Sequence, residues 1–551
     1  MENFDYVIVG AGSAGCVLAN RLSENPDASV LLLEAGGWDW NPLIQIPLGV
    51  GKLVRSRFHS WGYWTEPEPH LDNRKLYWPR GKVIGGSSSI NSMVYIRGHA
   101  VDYDHWAQLG NRGWSYDDVL PYFRHAEDHA QRPEDEYHGR GGLLKVTRGT
   151  GSNPLYDAFV KGGVQAGLPH AEDFNGPNQE GIGRYDFTIE NGRRASSANC
   201  YLRPAMARPN LTVRTRALTH RVLVTGGRAT GIEYYHDGET KTAGAEQEVL
   251  LCGGSLNSPQ VLMLSGIGDP KTIQPHGIKM VQELPGVGKN LQDHLDTPLQ
   301  YACTQPVTLH SLVRLDRAAL AMAQAALFRT GPAATFPAEG GAFIKTRAEL
   351  EAPDVQWHFL IGLAAKRVRI PLLWHLNKDA SDRDGFTVRM CQLRPESRGH
   401  LELASDDPTA RIRIFANYVS TETDRRTLRD SLRIARDVVS QNAFAPFRGE
   451  ELSPGPDVTS DTDLDAHIRR TAETIYHPVG TAKMGPDGDP MAVVDSQLRV
   501  KGVDGLRVVD ASIMPTVVGG NTNAPVIMIA EKTADAILGR NSVRRARQDA
   551  A

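Results

Sequence analysis

Three glycines near the start of the chain have the spacing of a phosphate-binding loop. Gly10, Gly12 and Gly15 form a GxGxxG pattern between a β-branched run at 6–9 and a helical pattern at 14–22. Where side chains are missing, backbone amides and the positive end of the following helix approach a pyrophosphate closely. The pattern alone is weak, but its place between a strand and a helix predicts a dinucleotide site.

An acidic residue completes this pattern. Glu34 ends the apolar run at 30–33, where its carboxylate is placed to accept hydrogen bonds from a ribose. Residues 5–36 therefore predict strand, tight turn, helix and strand, which is a βαβ unit. NAD and FAD both use this arrangement, so these residues leave the choice between them open.

The strands that join this unit lie far apart in the sequence. Apolar runs at 248–252 and 506–510 are candidates for the same parallel sheet, which makes the nucleotide domain discontinuous. Strand-like runs at 355–360 and 400–403 predict an antiparallel sheet in a second domain. The predicted fold class is α/β, or α+β overall, with a Rossmann-like domain and a substrate domain.

Composition and charge exclude several classes of protein. The 551 residues are 40% hydrophobic and carry 61 basic against 64 acidic residues, so a large core is expected and no nucleic-acid footprint is present. Five cysteines without CxxC spacing argue against a disulfide framework or structural zinc. No HExxH run or GxSxG elbow occurs, so neither metal catalysis nor a serine hydrolase is expected.

Location is predicted from the start of the chain and from its apolar segments. Met1 lies only a few residues before the first predicted strand, so we expect no leader and a cytoplasmic protein. Residues 312–328 and 361–376 mix apolar and basic side chains and are candidates for peripheral contact with the inner face of the membrane. The favoured interpretation is an ordinary packed helix and a solvated loop, because such mixtures are common on soluble surfaces.

Three further segments carry a family resemblance. They are RGKVIGGSSSINSMVYIRG at 80–98, GGSLNSPQVLMLSGIG at 253–268 and YHPVGT at 476–481. Together with the glycine loop they make the chain resemble the glucose-methanol-choline (GMC) oxidoreductases, flavoproteins that take a hydride from an alcohol. The resemblance covers most of the chain and implies FAD as the cofactor.

The resemblance also assigns cofactor positions. It implies that the backbone of Val222 pairs with the adenine edge. It also implies that six other positions lie along the flavin and pyrophosphate. Those other positions are Gly85, Gly86, Ser87, Asn91, Asp510 and Ala511. Some family members attach FAD covalently through a histidine at the position where this chain has Ile90, so non-covalent FAD is predicted.

Two residues match the catalytic pair of the family. His477 lies in the YHPVGT motif and is the candidate base, since imidazole exchanges protons near neutral pH. Asn521 stands at the paired position, where its amide donates to the substrate oxygen but cannot accept a proton. Asn523 competes for this role, and both asparagines could instead form turns beside Gly519 and Gly520.

The substrate pocket is predicted less fully. Glu339 matches a glutamate that holds the cation in choline enzymes, although a structural ion pair explains it equally well. His358 could line the pocket or be an ordinary core histidine. Asp384 stands where choline enzymes carry a further histidine, which argues against choline.

The resulting hypothesis is an FAD-dependent dehydrogenase that oxidises a primary alcohol, aliphatic or aromatic, to the aldehyde. Electrons are expected to pass to a quinone or an electron-carrier protein. The alternatives are choline dehydrogenase, an O2-using oxidase, a hydroxynitrile lyase-like enzyme and a non-catalytic flavoprotein, and the oligomeric state stays open. The predicted domains are FAD-binding at 1–155, 212–297 and 476–540, substrate-binding at 156–211 and 298–475, and a flexible tail at 541–551.

Overall fold

The computed structural model describes residues 2–149, 151–363 and 383–540. Two large sheets dominate this part of the chain. Their strands are β1 (Glu2–Val9), β2 (Val30–Glu34), β3 (His170–Ala171), β4 (Gly181–Arg184), β5 (Leu211–Thr215), β6 (Leu218–Thr225), β7 (Arg228–His236), β8 (Glu239–Leu251), β9 (Leu295–Cys303), β10 (Gly340–Ile344), β11 (Val355–Leu360), β12 (Gly385–Gln392), β13 (Arg448–Ser453), β14 (Glu473–Thr474) and β15 (Leu506–Val508).

Helices of nine or more residues flank these sheets. They are α1 (Ser13–Leu22), α2 (Ala100–Gln108), α3 (Tyr116–Ala126), α4 (Pro154–Gln165), α5 (Gly254–Leu264), α6 (Leu315–Phe328), α7 (Glu422–Ser440), α8 (Asp461–Thr471) and α9 (Asn523–Ile537).

The first sheet has the order β5-β2-β1-β8-β7-β6, with β15 beside β8. Strands β5, β2, β1, β8 and β15 run parallel, so that Val7 lies next to both Leu31 and Val249. Helix α1 crosses from β1 to β2, and every residue of β2 is buried, as expected for a parallel strand covered on both faces. The predicted βαβ unit and the discontinuous Rossmann-like sheet are confirmed.

The second sheet is antiparallel in all its pairings except that of β3 with β4. Its order is β13-β9-β12-β11-β10-β4-β3, and β14 pairs with β9. The predicted run 355–360 is β11, at the centre of this sheet. The run at 400–403 gives the strand His400–Glu402, which pairs with Arg413–Phe415 in a separate two-stranded ribbon.

A cluster of buried charges lies outside both sheets. Arg97 Nη2 is 2.9 Å from Glu127 Oε2, and His138 joins Glu127 (3.1 Å) to Asp173 (2.7 Å). Burial by itself would raise the pKa of Glu127, but Arg97 and His138 lower it to about 2. Burial by itself would lower the pKa of His138, but its two carboxylate partners raise it to about 9. We call these four residues the buried charge cluster.

The segments considered for membrane contact are only partly described. Residues 312–328 contain α6, whose Leu320, Leu327 and Phe328 side chains are exposed. Most of the segment 361–376, and the whole tail 541–551, lie outside the described residues. In the described part of the chain, no helix has the combined length and apolarity that crossing a membrane requires.

Candidate active site

The glycine turn and the two predicted catalytic residues line one and the same cavity. Its volume is about 860 Å³, and residues from both sheets line it. Val9, Glu34 and Leu251 contribute from the first sheet, whereas His358 and Arg389 contribute from the second. A cofactor bound in this cavity would therefore lie between the first sheet and the second sheet.

The turn between β1 and α1 has the geometry that requires glycine. Gly10 has φ +99°, and a Cβ on Gly15 would lie 1.9 Å from the carbonyl oxygen of Gly10. A Cβ on Gly86 would lie 2.7 Å from the Cα of Gly12, so the second predicted loop packs directly on the first. Gly10, Gly12 and Gly86 line the cavity, and Gly15 supports it by letting α1 approach β1.

Glu34 lies at the end of the cavity nearest this turn. Its carboxylate accepts hydrogen bonds from the backbone N–H groups of Ala11 (3.0 Å) and Gly36 (2.8 Å). Burial nevertheless raises the pKa of Glu34 to about 7, because the two backbone donors compensate only part of the lost hydration. Glu34 lines the cavity, and its role as acceptor for ribose hydroxyl groups stays a prediction.

The loop after β2 supplies the wall beside the turn. Ser87 and Asn91 line the cavity, and Arg194 Nη1 donates to Asn91 Oδ1 at 2.7 Å. Gly85, at φ +86°, is absent from the lining but ties the loop to the first turn through a 2.7 Å bond from its N–H to the Ala11 carbonyl. Ile90 faces the cavity with an aliphatic side chain.

Two predicted cofactor residues at the far end of the chain also lie on this wall. Asp510 follows β15 and accepts hydrogen bonds from the Gly254 N–H (2.8 Å) and the Ser258 hydroxyl (2.5 Å). Asp510 and Ala511 both line the cavity. The carboxylate thus fixes the N-terminus of α5 beside the space where the resemblance puts the flavin side of the cofactor.

The structure does not bring Val222 into the cavity. Its N–H donates to Ser265 Oγ at 2.8 Å, and the residue lies outside the cavity lining. Residues 217–219, at the start of β6, line this end of the cavity instead. Thr219 Oγ1 is buried and has no hydrogen-bond partner among the described residues, so an unsatisfied polar group stands where Val222 was expected to act.

His477 and Asn521 lie in contact on the wall of the cavity. Asn521 Nδ2 lies 3.2 Å from His477 Nε2, and both residues line the cavity. Burial, together with the neighbouring His294, His358 and Arg80, holds the pKa of His477 well below its usual range. A neutral imidazole is an acceptor for a proton, so the pair has one base and one hydrogen-bond donor. The competitor Asn523 accepts a 2.7 Å bond from Ser13 Oγ instead.

Two residues that hold this pair were missed by the sequence interpretation. His294 Nδ1 lies 3.0 Å from His477 Nδ1, and Gln356 Nε2 donates to Asn521 Oδ1 at 3.1 Å. Gln356 is two residues from His358 on β11, so the alternation that pointed to His358 could have found it. His294 immediately precedes β9 and is 183 residues from its partner, so no local pattern connects them.

The two predicted pocket residues have different outcomes. His358 lines the cavity, and burial lowers its pKa to about 3. Glu339 lies outside the cavity lining, where its carboxylate accepts the Gly151 N–H (2.6 Å) and lies 3.6 Å from Arg184 Nη1. These contacts favour a structural ion pair for Glu339 over a place in the pocket.

Comparison with known proteins fits this geometry. The N-terminal family model of GMC oxidoreductases matches residues 4–296, and the C-terminal model matches residues 395–530. The chain belongs to the GMC oxidoreductase family. Its GMC relatives include the oxygen-dependent choline dehydrogenase of Photobacterium profundum, 47% identical over 97% of this chain and 93% of the relative. The mitochondrial choline dehydrogenase of Mus musculus is 47% identical over 98% and 90%, respectively.

Two solved structures share the fold over nearly the whole chain. Pyridoxine 4-oxidase from Mesorbium loti superposes with a TM-score of 0.86 at 33% identity and covers 98% of this chain and 100% of its own. A formate oxidase superposes with a TM-score of 0.89 at 26% identity and covers 98% of each chain. The family match and the choline dehydrogenase relatives show that the chain is an FAD-dependent alcohol dehydrogenase of the GMC family.

The cavity fits FAD on the evidence of its own residues. The glycine turn, the carboxylate of Glu34 and the unsatisfied hydroxyl of Thr219 lie at one end, where an adenosine diphosphate group needs a close backbone and polar partners. His477 and Asn521 line the same cavity, and the redox-active ring would be needed beside them. In the described part of the chain, no group of three or more residues could hold a metal ion.

Proposed function

We propose that His477 and Asn521 act as a pair on the hydroxyl group of a primary alcohol. The supporting observation is the 3.2 Å approach of Asn521 Nδ2 to His477 Nε2 on the wall of the cavity that also receives the glycine turn. His477 Nε2 accepts the hydroxyl proton, while Asn521 donates to the oxygen as negative charge develops there. Bound FAD supplies the hydride acceptor, and the alcohol leaves as the aldehyde.

The substrate in this proposal is a neutral aliphatic or aromatic alcohol. Phe336 and Leu360 line the cavity with apolar surface, and Arg80 and Arg389 line it with guanidinium groups. The carboxylate expected to hold a cationic substrate, Glu339, faces Arg184 instead. A quaternary ammonium group would therefore lack Glu339 as its carboxylate partner and would lie near the guanidinium group of Arg80.

Choline is the second candidate, because two observations favour it. Relatives that are 47% identical to this chain carry the name choline dehydrogenase. The cavity also contains the carboxylates of Asp296 and Glu473 beside Arg389, and the Glu473 side chain is more than half exposed. If Glu473 turns inward in the complex, a carboxylate becomes available for the ammonium group.

Anaerobic bleaching of the flavin absorbance at about 450 nm distinguishes neutral alcohols from choline as the substrate. Benzyl alcohol, hexanol and choline are each mixed with the oxidised enzyme, and the rate of flavin reduction is recorded by stopped flow. We expect fast bleaching by the neutral alcohols and slow bleaching by choline. Fast bleaching by choline alone would replace the main proposal with the second candidate, and no bleaching by any alcohol would contradict both.

The role of His477 has its own test. His477→Ala removes the only base of the pair, so flavin reduction by alcohol should slow by about a hundredfold or more while FAD stays bound. His467→Ala is a matched control, since His467 is equally buried but bonds to the Pro298 carbonyl, away from the cavity. Equal rates for the two variants would remove the base assignment.

The electron acceptor is proposed to be a quinone or an electron-carrier protein. Reduced enzyme is mixed separately with O2 and with a soluble quinone, and each reoxidation rate is compared with the steady-state turnover. Reoxidation by the quinone should match turnover, and reoxidation by O2 should be much slower. The reverse result would identify an oxidase.

A quinone acceptor is consistent with peripheral contact at the cytoplasmic face of a membrane, which we include in the proposal. The exposed Leu320, Leu327 and Phe328 of α6 supply apolar surface, and Arg317 supplies positive charge on the same helix. All five cysteines are unpaired, as expected in a reducing compartment. Sedimentation with anionic vesicles should fall when Leu327 and Phe328 are both changed to Ser, and unchanged sedimentation would contradict this surface.

A further inference from the structure

Behind His477, a chain of hydrogen bonds runs away from the cavity. His294 is completely buried, and its ring stands nearly perpendicular to that of His477, at 82°. His294 Nε2 lies 3.0 Å from the carbonyl oxygen of Leu393, and His294 Nδ1 lies 3.0 Å from His477 Nδ1. Each ring nitrogen of His294 thus has one partner, and the partners differ in chemistry.

The Leu393 carbonyl determines which nitrogen of each histidine carries the proton in this series of hydrogen bonds. A carbonyl oxygen only accepts hydrogen bonds, so the proton of a neutral His294 must be on Nε2. Its Nδ1 then has a lone pair and accepts, which requires His477 to carry its proton on Nδ1. The lone pair of His477 is left on Nε2, the atom that faces Asn521 and the cavity.

The other end of the network agrees with this assignment. Tyr185 Oη donates to the Trp357 carbonyl (2.6 Å), so it accepts from Gln356 Nε2 (3.0 Å). Gln356 Nε2 also donates to Asn521 Oδ1, which turns Asn521 Nδ2 toward His477 Nε2. If His477 carried its proton on Nε2 instead, donor would face donor at Asn521 and lone pair would face lone pair at His294. Both contacts would then be unsatisfied in a buried site.

We infer that His294 is a positioning residue that holds His477 in the tautomer with the proton on Nδ1 and the lone pair of Nε2 facing the substrate. The inference rests on the proposed role of His477 as the base. When His477 accepts the hydroxyl proton at Nε2, both of its nitrogens carry protons, and His294 Nδ1 accepts the bond from the resulting cation. Because His294 Nε2 is held by a carbonyl that cannot take a proton, the proton remains on the histidine pair.

Two substitutions of His294 separate positioning from packing. His294→Leu fills the space but offers no acceptor, so His477 loses the partner that selects its tautomer. His294→Asn offers an amide oxygen near the former position of Nδ1, and the acceptor is restored. Flavin reduction at saturating alcohol should slow by about 10- to 100-fold in His294→Leu and by only a few fold in His294→Asn, with KM little changed in either variant.

The tautomer is also read directly. In enzyme labelled with 15N-histidine, the nitrogen shifts of His477 should report a bare Nε2 in the parent and in His294→Asn, and a mixed or reversed assignment in His294→Leu. The signal of His477 is identified by its absence from His477→Ala. FAD content and thermal midpoint are measured for each variant, and His467→Leu controls for the loss of a buried imidazole elsewhere.

The outcomes are distinct. Equal rates for His294→Leu and the parent, equal slowing of His294→Leu and His294→Asn, or a bare Nε2 in His294→Leu would each overturn the inference. If alcohols fail to bleach even the parent enzyme, the proposed function fails, while the nitrogen shifts still decide whether His294 sets the tautomer.

Discussion

At the scale of single residues, the protonation of Glu34 should make cofactor binding depend on pH. Burial raises the pKa of this carboxyl group to about 7 when no ribose is present, whereas ribose hydroxyl groups bind the carboxylate form. Below pH 7 the site must lose a proton before FAD binds, so affinity should fall by up to about tenfold per pH unit. Above pH 7 affinity should be constant.

Calorimetric titration of the apoprotein with FAD at several pH values between 5.5 and 8.5 tests this prediction. Glu34→Gln keeps the shape of the side chain but cannot titrate, so its affinity should be weaker and nearly independent of pH over this range. A parent enzyme with pH-independent affinity would show that Glu34 stays ionised in the free protein.

The same scale shows what the sequence could and could not predict about the site. His477 and Asn521 were found because each lies in a contiguous motif, and the structure places them in contact. Val222 was assigned from the resemblance alone, and the structure places it outside the cavity lining. His294 was missed because its function comes from a contact between distant residues.

At the scale of elements, the packing of one glycine loop on another predicts a sharp response to a single methyl group. In Gly86→Ala the new Cβ would lie 2.7 Å from the Cα of Gly12, at a residue with φ +53°. The two loops must separate, so FAD content and the thermal midpoint should both fall. Gly488→Ala is the control, since nothing lies within 4 Å of its added Cβ. Full FAD content in Gly86→Ala would show that the loops tolerate separation.

Whether an element could be predicted depended on how far apart its paired strands lie in the sequence. The unit from β1 to β2 is built from neighbours in sequence, so residue periodicity and the glycine spacing sufficed. The second sheet pairs β9 with β12, whose paired residues Asp296 and Cys391 are far apart in the chain, and no periodicity reports such a pairing. The proposed domain boundaries, including 1–155 and 476–540, stay a prediction.

At the scale of the whole molecule, the buried charge cluster should set the alkaline limit of stability. The pKa of His138 is raised to about 9 in the folded protein, so its contribution is complete below its unfolded value of about 6.5 and is lost as pH rises toward 9. The pKa values of Glu127 and Asp173 are lowered to about 2, so their contributions persist until strongly acidic pH. The thermal midpoint should therefore decline between pH 6.5 and 9.

Thermal unfolding of the holoenzyme across this pH range provides the measurement. His138→Gln should lower the midpoint at pH 6.5 and remove most of the alkaline decline, because no proton is then released by the cluster. His170→Gln changes an exposed histidine and should keep the decline of the parent. An alkaline decline that persists in His138→Gln would place its origin elsewhere in the molecule.

The pairing of β15 with β8 has a consequence for biosynthesis. The residues that line the cofactor cavity come from both ends of the chain: some lie near position 10, and others are Asp510, Ala511 and Asn521. In addition, α9 packs against α1. A ribosome delivers these segments at the beginning and near the end of translation. The emerging polypeptide must therefore hold an unfinished nucleotide sheet through most of its synthesis, and FAD can be captured fully only after the segment following β15 has left the exit tunnel.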